Sequence, residues 1–448
     1  RETAPEDIRG MHAASAVITE RGGVTSHAAV IGRGIGLPCV VGVSDMRFEP
    51  GKGKMVANDG RVISAGDVVT VDGTNGTILL GAPEMQEAAL DDAFHALMEW
   101  ADAERDIDIR ANADTPADAQ TASNFDAQGI GLCRTEHMFF EPGRLTVMRE
   151  MIFAETSDDR RAVLERLLPM QRDDFTQLFR IMQGKPVCIR LFDPPLHEFL
   201  PSDRNGQREL ADALNLSLSD VTRRVEEMAE YNPMLGMRGV RMGITVPEIY
   251  DMQARAIFEA TVEASREGDP VVPEIMIPLV SAKREVELVR SRIDGVAAAV
   301  ATETGTRFDY KLGVMVETPR AALRAGEIAQ HCSFLSFGTN DLTQMTYGLS
   351  RDDAGRFMSD YVRQEVFAED PFHSLDVDGV GELLQLGSER GRRVRPDLTL
   401  SICGEHGGNP ESIAFCRQAG FDYVSCSPFR VPVARLAAAQ LAIAHKIG

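Results

Sequence analysis

Short apolar runs recur along most of the chain, separated by longer stretches whose apolar residues return at helical spacing. From about residue 106 eight runs stand out, at 107–110, 129–133, 187–191, 274–277, 313–316, 334–337, 400–403 and 423–426. A run that is apolar on both faces marks a strand covered on both faces, as in a parallel sheet flanked by helices. Eight strand–helix units between residues 106 and 448 predict a (β/α)8 TIM barrel with insertions. The largest insertion is expected near 195–245, Pro- and charge-rich early and carrying two arginines late.

Residues 1–83 follow another pattern. Shorter β-type runs at 15–19, 39–43, 67–73 and 76–80 lie among Gly and Asp turn signals and predict a small β-rich α/β domain. Residues 84–105 are rich in Ala and Glu, hold the only tryptophan, Trp100, and predict a helical linker. The expected class is α/β, with a small domain over 1–83, a linker over 84–105 and a barrel over 106–448.

Composition then narrows the function. Lys and Arg number 47 against 68 Asp and Glu, a formal net charge of −21. Nucleic-acid and anionic-membrane binders need a basic face, so neither partner is expected. An anionic small substrate stays open, because a local arginine cluster can outweigh the global field. No run reaches the ~18 apolar residues of a membrane span, and no signal peptide is visible. The seven cysteines are scattered, odd in number and without a CxxC, which fits a reducing, cytoplasmic setting better than a disulfide framework or a zinc site.

In a barrel of this kind chemistry is built just past the C-terminal ends of the strands. Those places hold Arg134-Thr135-Glu136, Arg190 with Asp193-Pro194-Pro195, Glu317, Gly338-Thr339-Asn340-Asp341, and Cys403 leading into Gly404-Glu405-His406-Gly407-Gly408. Arginines bind phosphate or carboxylate bidentately. Glu317 and Asp341 are oxygen ligands suited to Mg²⁺ completed by substrate oxygens and water. Asn340 and the backbone N–H groups around Gly338 and Thr339 can hold further anionic oxygens. Cys403 reads either as an acid or base with a tuned pKa or as a buried inert thiol.

The first domain carries Gly22-Gly23-Val24-Thr25-Ser26-His27-Ala28-Ala29. Two glycines allow an unusual turn, and Thr25 or Ser26 can cap a helix beginning at Ala28. His27 would then stand at a helix N-terminus, where an anion is stabilised. It is placed to carry a phosphoryl group, or to be a structural histidine beside a cap. The remaining histidines, His137 among them, are read as structural.

These stretches resemble the phosphohistidine motif and the phosphoenolpyruvate-binding barrel shared by pyruvate, phosphate dikinases, phosphoenolpyruvate synthases and enzyme I of the sugar phosphotransferase system. The run from Leu191 to Pro201, the run from Gly131 to Phe139 and the run from Cys403 to Gly408 resemble the dikinases in particular. The resemblance covers essentially the whole chain. It implies a swivelling phosphohistidine domain ahead of the barrel, with His27 phosphorylated and Thr25 a regulatory site. It implies that Arg134, Arg190 and Arg238 hold the phosphoryl group and substrate, and that Glu317 and Asp341 hold Mg²⁺. Gly338, Thr339 and Asn340 would contact substrate, and Cys403 would donate the proton to the enolate.

The implied activity is a phosphotransferase interconverting pyruvate and phosphoenolpyruvate through phosphohistidine. ATP and phosphate would act through a nucleotide-binding domain preceding this chain, whose Arg1-Glu2-Thr3-Ala4-Pro5 start resembles an internal dikinase segment. A homodimer is implied as well. The arginines, with Mg²⁺, are expected to make a positive pocket in a negative protein.

Overall fold

The computed structural model describes residues 2–3, 10–11, 14–23, 26, 28–29, 32, 36–83, 91–355 and 357–447. The chain divides into two compact units. One takes residues 1–105, 348–374 and 435–448; the other takes 106–347 and 375–434.

The first unit is β-rich at its start. Strands β1 (Val17–Ile18) and β2 (Cys39–Val40) pair in parallel. Strands β3 (Met46–Glu49), β4 (Lys54–Ala57) and β5 (Val62–Ser64) form an antiparallel meander, and β6 (Val69–Asp72) and β7 (Thr77–Leu80) a hairpin. Asp72 closes that hairpin, its Oδ1 accepting the N–H groups of Thr74 and Asn75. The meander is absent from the sequence prediction because Arg47, Glu49 and Lys54 interrupt its apolar positions. A helix over Asp92–Glu104 starts on Asp91, whose carboxylate accepts the Phe94 N–H at 2.8 Å. Near the other end Asp102 pairs with Arg105 at 2.6 Å and Arg435 at 2.5 Å.

The second unit is a closed barrel of eight parallel strands in chain order. They are β8 (Asp108–Asn112), β9 (Ile130–Arg134), β10 (Val187–Arg190), β11 (Glu274–Ile277), β12 (Lys311–Val316), β13 (Phe334–Gly338), β14 (Thr399–Cys403) and β15 (Tyr423–Cys426). Each predicted run lies within two residues of its strand at either end, because burial on both faces leaves an apolar run with no polar alternation. Leu132, Cys188, Met276, Met315, Phe334 and Cys403 pack together as one core cluster. Where the strands begin, Arg110 bonds Glu274 at 2.6 Å and lies 3.8 Å over the Tyr423 ring, while Lys311 reaches the other Glu274 oxygen at 3.3 Å. The insertion after β10 folds as helices over Arg204–Leu214 and Leu218–Met228, capped by Asp203 and Ser217. Among the described residues no helix is long and apolar enough to cross a membrane.

Candidate active site

Arg134, Arg190, Gly338 and Cys403 are the last residues of β9, β10, β13 and β14. Glu317 follows β12 directly, and Thr339, Asn340 and Asp341 open the Thr339–Tyr347 helix. Arg238 lies just before the Val240–Thr245 helix on the connection from β10 to β11.

One side chain absent from the sequence-derived set links several of these. Asp193 accepts from Arg190 Nη1 at 3.1 Å and from both Nε and Nη2 of Arg238. Arg238 Nη2 also lies 3.1 Å from Asp341 Oδ2. Arg190 bonds Glu136 through Nη2, and its Nη1 stands 3.8 Å from Glu317 Oε1 and 3.8 Å from the Met315 sulfur. The structure thus brings Arg190, Arg238, Glu317 and Asp341 into one ion-pair network, buried at Arg190 and Glu317 and partly buried at Arg238 and Asp341.

Backbone geometry fixes the carboxylates. Leu279 is buried with φ 57°, and its N–H donates to Glu317 Oε2 at 2.8 Å. A side-chain-bearing residue held in the left-handed region costs about 1–3 kcal/mol. Gly239, at φ 56°, packs beneath it; a Cβ there would lie 2.7 Å from Leu279 Cβ and 3.0 Å from Asp193 Oδ1. At Gly338 a Cβ would stand 2.6 Å from Glu317 Cγ.

The pocket is not positive by itself. The guanidinium groups of Arg134, Arg190 and Arg238 are paired with, and outnumbered by, the carboxylates of Asp114, Glu136, Asp193, Glu317 and Asp341. Burial opposes ionisation of Asp193, yet Arg190 and Arg238 outweigh it and hold that carboxyl low. Glu317 is pushed up to about 8, first by burial and then by Asp193 and Asp341, with the two arginines opposing. Each guanidinium arrives already matched by a carboxylate, so a positive pocket, expected of the arginines together with Mg²⁺, would depend on the metal. Glu317 and Asp341 are carboxylates here that could hold a divalent cation.

Cys403 is buried at the end of β14, with its sulfur 3.5 Å from Ser336 Oγ and 3.8 Å from the Phe337 carbonyl. Burial raises the thiol to about 11, against the Ser336 hydrogen bond, so it is protonated at neutral pH. Thr339 Oγ1 donates to the Cys403 carbonyl at 3.3 Å. Asn340 Oδ1 is buried without a protein partner.

Arg134 sits on a separate carboxylate. Asp114, two residues past β8, accepts the Arg134 backbone N–H at 2.7 Å and its Nη1 at 3.2 Å, and pairs with His137 Nδ1 at 2.8 Å. Asp114, Asp193, Glu136, Ser336 and Leu279 are outside the sequence-derived set. Asp193 and Glu136 were visible as strand-end charges; nothing in the spacing signals the meeting of Asp114 with His137.

In the first unit Gly22 has φ 112°, and Ala28 and Ala29 are helical and buried. His27 and Thr25 lie outside the described residues.

Residues 88–443 match the PEP-utilising enzyme, PEP-binding domain, and residues 1–76 match the PEP-utilising enzyme, mobile domain. The chain belongs to the PEP-utilising enzymes. This PEP-utilising enzyme is 55% identical over 443 residues to "Pyruvate, phosphate dikinase" of Rhizobium meliloti (strain 1021), covering 99% of this chain and 49% of that protein. It is 48% identical over 446 residues to "Pyruvate, phosphate dikinase" of Clostridium symbiosum, covering 99% and 51%. To "Pyruvate, phosphate dikinase, chloroplastic" of Flaveria pringlei it is 51% identical over 445 residues, covering 99% and 46%. The chain thus spans about half the length of the curated relatives it matches.

Proposed function

We propose that this chain carries the pyruvate/phosphoenolpyruvate half-reaction of a pyruvate, phosphate dikinase: phospho-His27 and pyruvate exchanging with His27 and phosphoenolpyruvate. The observation that carries the reading is the ion-pair network of Arg190, Arg238, Glu317 and Asp341 beside Cys403, in a chain about half identical along its length to proteins of that name. In this reading 1–83 is the phosphohistidine domain, 84–105 a linker and 106–448 the barrel. The whole enzyme would convert ATP, phosphate and pyruvate to AMP, diphosphate and phosphoenolpyruvate, with ATP and phosphate handled elsewhere in it. The homodimer and a cytoplasmic setting belong to the same proposal. Seven scattered cysteines without a CxxC support the second.

Mg²⁺ fits the residues present. It is ordinarily held by one or two carboxylates with substrate oxygens and water; Glu317 is raised first by burial and then by Asp193 and Asp341, and a divalent cation held by Glu317 and Asp341 would offset that carboxylate repulsion. Held by Glu317 and Asp341, it would supply Lewis-acid polarisation of substrate oxygens and so lower the cost of an enolate.

The chain's own residues do the rest. Arg190 and Arg238, held on Asp193, and Arg134, held on Asp114, orient the phosphoryl group and offset its charge in the transition state. From phosphoenolpyruvate, the phosphorus–oxygen bond breaks as a bond to a ring nitrogen of His27 forms, and the electron pair stays on the enolate. Cys403 then gives its proton to the methylene carbon, which its neutral state at physiological pH allows. Thr25 would be the regulatory position, where phosphate would obstruct the same anion site. Asn340, with its bare buried Oδ1, and the Gly338–Thr339 segment would line the substrate.

The test is incubation with Mg²⁺ and ³²P-labelled phosphoenolpyruvate. Acid-labile label should appear on the wild type and disappear in His27→Ala. No label on the wild type would sink the half-reaction.

A further inference from the structure

His137 is read from the sequence as structural, but the structure puts it at the mouth of the barrel on a shared carboxylate. Asp114 is nearly enclosed, its side chain 12% exposed, while the His137 side chain is 38% exposed. Nδ1 of His137 and Nη1 of Arg134 both bond one oxygen, Oδ2 of Asp114, so the two donors are near neighbours. With Nδ1 committed to Asp114, the ring's free nitrogen is an acceptor when the imidazole is neutral and a donor when it is protonated.

We propose that His137, in its protonated form, is a substrate-binding residue that donates through its second ring nitrogen to the phosphoryl group held by Arg134. Asp114 is the positioning residue for both. This rests on the reading of the barrel as a phosphoenolpyruvate site.

Three observations converge on it. Arg134, Arg190 and Arg238 are all paired with carboxylates, so a cationic donor at the rim would add to what Mg²⁺ supplies for an anionic substrate. The ring stands beside the one arginine outside the Asp193 network. The charged groups around it are Asp114 and Glu136, which favour the imidazolium, and Arg134, which opposes it. Burial also opposes it, and the two carboxylates prevail.

The experiment is calorimetric titration of the 448-residue chain with phosphoenolpyruvate and Mg²⁺ from pH 6 to 8.5, alongside His137→Asn. Asn keeps a donor for Asp114 and removes the titrating nitrogen. With the His137 side chain more than a third exposed, the variant should fold, and both proteins meet the same ligand ionisation. Wild-type affinity should fall about tenfold more across the range than that of the variant, the size of one charge-assisted hydrogen bond. At pH 6 the variant should bind about tenfold more weakly. In Asp114→Asn the wild-type fall should move to lower pH, which a merely packed histidine would not produce. If His137→Asn tracks the wild type at every pH while both bind, the inference fails and the site reading stands. If neither protein binds phosphoenolpyruvate with Mg²⁺, the site reading fails and takes the inference with it.

Discussion

Arg190 reaches Glu136, Asp193, Glu317 and the Met315 thioether from one planar fork. Lysine keeps the charge but is a single point, unable to span Glu136 and Asp193 together. Arg190→Lys should therefore slow phosphoenolpyruvate-dependent labelling of His27 by about 10²–10³, as loss of one preorganised donor does. Single-turnover labelling measures this directly. The pair of Asp114 and His137 makes a second prediction, on stability. Asp114 raises the folded-state pKa of His137 against burial, so the pair's contribution is full below the ordinary imidazole value near 6.5 and is lost as pH rises through the folded value. The melting difference between wild type and His137→Asn should shrink above about pH 6.5. With the ring more than a third exposed, it should stay below about 1 kcal/mol. Thermal melts at pH 6 and pH 8.5 check both sign and size.

Among the elements, the barrel strands meet a different demand at each end. Where they begin, buried Arg110 and Glu274 pair beside the Tyr423 ring, with exposed Lys311 reaching the second Glu274 oxygen. Glu274→Gln would leave the Arg110 charge buried without its partner and should cost about 3–5 kcal/mol in denaturant unfolding of the barrel. Pairings of this sort are what the sequence conceals. The eight barrel strands were legible because burial on both faces turns each into an apolar run, and the side chains at their ends could be named from those runs. Which end meets which could not be named. Asp114 and Arg134 are twenty positions apart and come together because β8 and β9 are neighbours, while Asp193 reaches Arg238 across the whole insertion. The β3–β5 meander stayed hidden for the opposite reason: its half-exposed strands carry charge where an apolar run would be needed.

At the scale of the whole molecule, a net charge of −21 sets the terms for an anionic substrate. With the site's arginines already matched, phosphoenolpyruvate alone should bind weakly, and Mg²⁺ should be required for it to stabilise the fold. With Mg²⁺, phosphoenolpyruvate at about 100 times its Kd should add about 2.7 kcal/mol to the barrel's stability, raising its melting temperature by several degrees. EDTA should abolish that rise, and so should Asp341→Asn. Differential scanning calorimetry with and without the chelator measures it; an unchanged rise in EDTA would contradict the metal's role.

A close tolerance in the site belongs to a residue with no side chain. At Gly338 one added methyl would stand 2.6 Å from the Glu317 side chain. For anyone reshaping this barrel mouth toward other substrates, that makes position 338 a wall of the mould. Libraries can vary the lining, but an alanine here would move the carboxylate, and with it the origin from which every other contact is measured.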